Sequence, residues 1–166
     1  FTREDKLPAV LKVFTKTAME VCEGQQYDMN FETQQDVSLE EYLLMIKLKT
    51  AVLMGASLKI GAILGGADDE QSNLIFEFGE EVGMVFQLQD DLLDTFGNEA
   101  NFGKRIGGDI LDCKKSYLYV NAMEKLQGRN RQELLEIYHD LEMDEDHKIS
   151  KVQDLFREAG VIEDCK

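Results

Sequence analysis

Phe86-Gln87-Leu88-Gln89-Asp90-Asp91-Leu92-Leu93-Asp94 puts three carboxylates inside an apolar run, and the period of that run decides the fold. Leu74, Phe78, Val82, Val85 and Leu92 recur along one helical face from about Ser72 to Phe96, and Gly97 stops the pattern. Asp90 and Asp94 are four apart and Asp91 and Asp94 three apart, so on a helix they converge to about 5–6 Å on neighbouring turns. Like charges that close repel, and a hard divalent cation ligated by carboxylate, water and phosphate oxygens relieves the repulsion. Counting back from Asp94 by helical steps gives Asp90, Gln87, Gly83 and Gly79, a polar and very small stripe expected to leave room for a ligand. Asp91, rotated about 100° further round, is expected at the rim and satisfied through water. The competing reading is a solvated acidic turn. Val85, Phe86, Leu88, Leu92, Leu93 and Phe96 count against it, because acids packed among such flanks need a partner. Asp68-Asp69-Glu70 is the contrast: it follows Gly65-Gly66, lacks apolar flanks and reads as a helix N-terminus favouring acids.

The rest of the chain repeats the helical signal. Pro8 suits the first turn of an opening helix with Leu11, Phe14, Ala18, Val21 and Cys22 at helical spacing. Gly24 either ends that helix or lets another element approach closely. Ser38 with Glu41 forms a capping box for a helix that Gly65 and Gly66 close, and Tyr42 to Leu64 between them is apolar nearly all round, as in a buried central helix. Gly97 to Asp109 reads as a glycine-rich loop ending in Asp109 as an N-cap. Further helices are expected at about Ile110–Leu126, Arg131–Leu141 with the box Asn130/Glu133, and from Ser150 with Gln153 to Gly160.

Lys49-Thr50 lies among Met45, Ile46, Val52, Leu53 and Ala56, so Lys49 either has an anionic partner or snorkels to solvent; Lys47 reads as a surface lysine. Gly103-Lys104-Arg105 offers two cations on a glycine-rich backbone as a phosphate clamp. Lys114 and Lys115 fall near the expected helix start at Asp109, where the dipole disfavours cations, so an anionic ligand, a metal-binding acid cluster or Asp112 should hold them. Gln25 and Asp28 read as a buried polar pair. Against this, 33 acidic and 18 basic residues give a net charge of −15, which disfavours nucleic acid as a partner. Cys22, Cys113 and Cys165 fit neither a disulfide ladder nor a paired-thiol metal motif, so a reducing cytoplasm is expected, and two histidines argue against zinc. No apolar run reaches the roughly 18 residues of a membrane span, and Phe1 to Lys6 is too charged for a signal peptide.

Taken in order, Gly24-Gln25-x-x-Asp28, Tyr42-x-x-Met45-Ile46-x-x-Lys49-Thr50, Phe86-Gln87-x-x-Asp90-Asp91-x-x-Asp94 and Gly103-Lys104 through Gly108-Asp109 to Lys114 resemble the trans-isoprenyl diphosphate synthases. That family includes farnesyl and geranylgeranyl diphosphate synthases, and the resemblance covers about Gly24 to Leu118. It implies an all-α helical bundle of the isoprenoid synthase type around a deep cavity, with two aspartate-rich motifs facing across its mouth. Asp90, Asp91 and Asp94 match the second motif and are expected to hold Mg2+, Asp90 directly and the others directly or through water. The implied reaction is prenyl transfer, isopentenyl diphosphate attacking the cation formed when an allylic diphosphate ionises. Lys49 and Lys104 match contacts to the allylic diphosphate, and Lys114 matches a basic position near the metal. Thr50 and Gln87 match neutral oxygens beside the developing cation, with Gln25 and Asp28 in support. A homodimer is also implied.

The departure from the family lies upstream. The first aspartate-rich motif and the segment that holds isopentenyl diphosphate should precede Phe1, and Asp68-Asp69 cannot replace them because Ser72 stands where a third acid belongs. The expectation is therefore a partial isoprenoid synthase domain over residues 1–166, truncated at both ends and inactive by itself. Two other readings compete with an enzyme: a non-catalytic prenyl-synthase-like subunit, and an acidic helical interaction module.

Overall fold

The protein is described by a computed structural model over residues 4–98, 103 and 105–165; Lys104 lies outside the described residues. All regular structure among them is helical. Helix α1 is Leu7–Phe31, α2 is Leu39–Ile46, a π-helical turn covers Lys47–Ala51, α3 is Val52–Gly65 and α4 is Asp69–Phe96. Four shorter helices follow: α5 Gly108–Leu111, α6 Tyr117–Lys125, α7 Gly128–His139 and α8 Glu145–Ala159, with a closing 3-10 turn at Glu163–Cys165. No described helix is long and apolar enough to cross a membrane.

Local chemistry sets most of these boundaries. The Ser38/Glu41 box forms as expected: Ser38 N–H and Oγ both reach Glu41 Oε2 at 2.8 Å, and Glu41 N–H returns to Ser38 Oγ at 3.2 Å. Asp68 caps α4 in the same reciprocal way with Gln71, and Asp69 and Glu70 fill the first turn, as the contrast with the aspartate-rich stretch required. Gly66 and Gly160 end α3 and α8 with left-handed φ of 93° and 71°.

Elsewhere the expected boundaries are corrected. Of the two readings of Gly24 the close approach holds and the helix stop does not, since α1 continues to Phe31 with the backbone of Leu48 and Lys49 against Gly24. The helix expected over Ile110–Leu126 is two helices, because Cys113 takes a left-handed φ of 53° and breaks the ladder. Gly107, not Asp109, is the N-cap of α5, and α7 starts at Gly128 with no side-chain cap; Asn130 instead donates to Glu158. Helix α8 begins at Glu145, capped by Asp144 accepting from His147 N–H, so Ser150 and Gln153 lie inside it.

The chain divides into two compact units, Phe1–Asn30 with Leu43–Gln87, and Phe31–Tyr42 with Leu88–Lys166. In the first, helices meet through missing side chains. A Cβ on Gly24 would lie 2.4 Å from Lys49 N, one on Gly83 2.5 Å from Ala51 Cα, and one on Gly79 2.8 Å from Gly55 Cα. Gly79 and Gly83 thus admit the backbone of the π turn and α3; their expected role of leaving room for a ligand is overturned. This unit also keeps much apolar surface in solvent. Leu11 and Phe14 on α1, Leu53 and Leu58 on α3, and Leu74, Phe78, Val85 and Phe86 on α4 are exposed, so α3 is not buried all round as the Tyr42 to Leu64 pattern led one to expect. The second unit has the denser core. Ile110, Leu118, Val120, Leu134, Tyr138, Val152, Phe156 and Val161 are buried where α5, α6, α7 and α8 pack together, the aliphatic ones and Phe156 each contributing about 1.5–3 kcal/mol of apolar burial.

Candidate active site

In the first unit the polar cluster centres on the π turn. Val52 N–H bonds to Lys47 O, five residues back, and this widened turn carries Lys49 and Thr50. Gly24 lets the turn's backbone in, and Asp28, one helical turn further along the same face of α1, accepts from Lys49 Nζ at 2.6 Å. Lys49 therefore has an anionic partner within the chain. Thr50 Oγ1 donates to Gln87 Oε1 at 3.1 Å. Lys47 pairs with Glu80 at 3.0 Å, with nearly half of its side chain in solvent, as a surface lysine would. Gln25 is exposed and its expected buried pairing with Asp28 is not formed, since Lys49 takes Asp28 instead.

In the second unit the aspartate turn of α4 is wired from behind. Asp91 is 4% exposed, and its Oδ2 accepts from Tyr42 Oη at 2.6 Å and from Tyr117 N–H at 2.7 Å. It faces the interior, so its expected position at a solvated rim is overturned. Of the six apolar flanks, Val85, Phe86 and Leu93 are exposed and Leu88, Leu92 and Phe96 part-buried, and the two donors replace the water that burial of Asp91 removes. Asp94 Oδ2 accepts from Asp109 N–H at 2.9 Å, and Asp94 O from Gly107 N–H at 2.6 Å. Burial pushes the Asp94 carboxyl above its usual range; the Asp109 N–H pulls it down, and the Asp109 and Asp90 charges push it up. Asp90 has no hydrogen-bond or ion-pair partner among the described residues.

The cations around this turn differ from expectation. Lys114 follows the break after α5 and pairs with Asp109 Oδ1 at 2.7 Å, which answers the question of its anion. That hydrogen bond raises its pKa, with further help from the Asp109, Asp112 and Asp94 charges. Lys115 is buried 5.1 Å above the Tyr119 ring, and desolvation lowers its pKa. Arg105, expected in a phosphate clamp, is engaged by Glu145 and Asp146 in the first turn of α8.

Among the described residues no three acid, histidine or cysteine side chains converge to hold a metal. Asp91 is turned away, which leaves Asp90 and the second oxygen of Asp94. Two hard carboxylates on one helical face suit magnesium, which is commonly bound through one or two carboxylates plus water and substrate phosphate.

Residues 2–156 match the Polyprenyl synthetase family. The chain belongs to that family. A short chain isoprenyl diphosphate synthase of Methanocaldococcus jannaschii is 40% identical over 132 residues, 80% of this chain and 40% of that protein. The crystal structure of a geranylgeranyl pyrophosphate synthase superposes with a TM-score of 0.91 at 45% identity, over 98% of this chain and 51% of that one. A polyprenyl synthase from Caulobacter crescentus CB15, solved with calcium and isoprenyl diphosphate, has a TM-score of 0.84 at 25% identity, over 95% of this chain and 48% of that one. The chain thus spans about half the length of the relatives it matches, and its fold is the helical isoprenoid synthase fold of these synthases.

Within this polyprenyl synthetase chain, four features escape a reading of spacing alone. They are the π turn, the hydroxyl of Tyr42, the N–H of Tyr117 and the N–H of Asp109. Tyr42 carried a signal, as the one phenol in a largely apolar helical stretch, since a buried phenol needs an acceptor. Nothing in the sequence announces a backbone N–H as a ligand for a distant carboxylate.

Proposed function

We propose that this protein is a prenyltransferase that joins isopentenyl diphosphate to an allylic diphosphate with Mg2+ as cofactor. The observation that carries the reading is Asp90, a carboxylate without a partner among the described residues, beside Asp94 on a turn of a polyprenyl synthetase chain that is anchored from behind. Magnesium, when bound, supplies the positive charge that stabilises departing pyrophosphate. Asp90 and Asp94 would hold the metal. Lys49 has three N–H donors, so its pairing with Asp28 leaves donors for the allylic diphosphate contact that the family resemblance implies. Thr50 and Gln87, already hydrogen-bonded to one another, offer neutral oxygens beside the allylic carbon as the carbon–oxygen bond breaks. Isopentenyl diphosphate then forms the new carbon–carbon bond, and loss of a proton restores a double bond. Lys114, paired to Asp109, adds positive charge near the metal ligands, and the role of Lys104 rests on the resemblance alone.

The calcium and isoprenyl diphosphate in the Caulobacter relative support a divalent cation and a diphosphate substrate. A reducing cytoplasm belongs to the same reading, in keeping with three unpaired cysteines, and so does a homodimer, in keeping with the exposed apolar residues of α1.

The test is condensation of radiolabelled isopentenyl diphosphate with an allylic diphosphate by the full-length protein, with and without a chelator. Magnesium-dependent product is expected. Pyrophosphate binding without any product would support the non-catalytic subunit instead, and product formation indifferent to chelation would sink the metal assignment.

A further inference from the structure

Asp91 sits on the same turn as Asp90 and Asp94 and yet faces the other way. Taking an ionised carboxylate out of water costs several kcal/mol unless strong donors replace the solvent. Two do so here, converging on one oxygen from elements 49 and 26 residues away in sequence, the Tyr42 hydroxyl of α2 and the first N–H of α6. The α6 donor is one of the N–H groups a helix leaves unpaired at its start, where the dipole also favours an anion. Tyr42 is 2% exposed, and its ring lies 6.2 Å from that of Tyr117, so its hydroxyl is held in place by packing.

This grip has a geometric consequence. Rotation of α4 about its axis would carry Asp91 off both donors together. The angular position of the turn is therefore fixed, and Asp90, one residue earlier, and Asp94, three later, are fixed with it. Asp94 is steadied a second time by Asp109 N–H, whereas Asp90 has no such support and depends on the turn beneath it.

We propose that Asp91 is a positioning residue and not a metal ligand: clamped by the Tyr42 hydroxyl and the Tyr117 N–H, it sets the rotation of α4 that aims Asp90 and Asp94 at a divalent cation. The proposal rests on the magnesium reading of Asp90 and Asp94. Partners that orient metal ligands typically carry about 10–100-fold in metal affinity, so the clamp has a measurable signature.

The experiment is Mn2+ binding to the full chain in the presence of inorganic pyrophosphate, read by electron paramagnetic resonance, with metal-free melting temperature and circular dichroism recorded in parallel. The parent should bind and Asp90→Asn should not. A parent that fails to bind Mn2+, or an Asp90→Asn variant that binds like the parent, overturns the metal reading itself and this proposal with it. With those two controls met, Asp91→Asn retains an acceptor for both donors and is expected within about threefold of the parent, while Tyr42→Phe weakens binding about tenfold with its helical spectrum unchanged. Asp91→Asn losing Mn2+ as completely as Asp90→Asn would make Asp91 a ligand and defeat the proposal. So would a Tyr42→Phe variant that melts earlier but binds Mn2+ as tightly as the parent.

Discussion

The Lys49–Thr50 turn and the Asp90–Asp94 turn each carry polar groups on a helix, but they are held by different means. Around Lys49 the support is steric. Bare backbone at Gly24 and Gly83 lets the π turn in, and each side chain then finds a half-exposed partner, Asp28 for Lys49 and Gln87 for Thr50. Around Asp91 and Asp94 the support is hydrogen bonding from behind, by a buried phenol and by backbone N–H groups at the starts of α5 and α6. Steric support is lost when atoms are added, whereas hydrogen-bonded support is lost when a donor or acceptor is removed. Substitutions in the two turns should therefore fail in different ways.

The largest effect is expected from Asp90→Asn. Its charge has no partner among the described residues, so in the full-length protein the change should lower turnover about a thousandfold while leaving metal-free melting temperature unchanged or slightly raised. Steady-state kinetics and thermal melting check this together; an inactive variant that is also unfolded would show Asp90 to be structural. Gly24→Ala tests the steric side. Its Cβ would meet backbone at Lys49 N, which cannot move as a flexible side chain could, and urea unfolding should show a loss of about 3 kcal/mol. A neutral Gly24→Ala would mean that α1 and the π turn separate readily and that the contrast drawn above is false.

A smaller effect separates two lysines of one turn. Lys49→Ala should lower kcat/KM about thirtyfold by removing a charged donor, whereas Lys47→Ala, which frees only a surface pair with Glu80, should stay within about threefold. Equal small effects would remove Lys49 from the substrate site.

The smallest effect concerns Tyr119. It is 3% exposed, its hydroxyl has no hydrogen-bond partner among the described residues, and burial pushes its pKa from 10.0 up to about 12. Between those values the unfolded chain has lost this proton while the folded chain keeps it, so stability should fall as pH rises across that window. Burial raises Tyr138 and Tyr42 too, so Tyr119→Phe should make the alkaline loss shallower without abolishing it. Near neutral pH the same variant should change stability by less than about 1 kcal/mol, because the hydroxyl it removes bonds to nothing described. Urea titrations near neutrality and at about pH 11 provide the measurement, and an undiminished alkaline slope would assign the loss to other groups.

Much of this protein was legible in its residues. Helical periodicity, the Ser38/Glu41 box, the Asp68 contrast and the glycine stops at Gly66 and Gly160 are consequences of neighbours within about four positions, which a sequence displays directly. The ordered motifs from Gly24 to Lys114 identified the polyprenyl synthetase family for the same reason, since residue type and spacing are what they consist of. The tertiary structure alone decided what each polar group faces. Gly79 and Gly83 look like space until the π turn and α3 backbone fill them, and Asp91 looks like a rim residue until Tyr42 and Tyr117 bond to it in the interior. Spacing along one helix fixes which residues share a face. It carries no information about which distant backbone or hydroxyl arrives at that face, because that depends on packing among elements tens of residues apart.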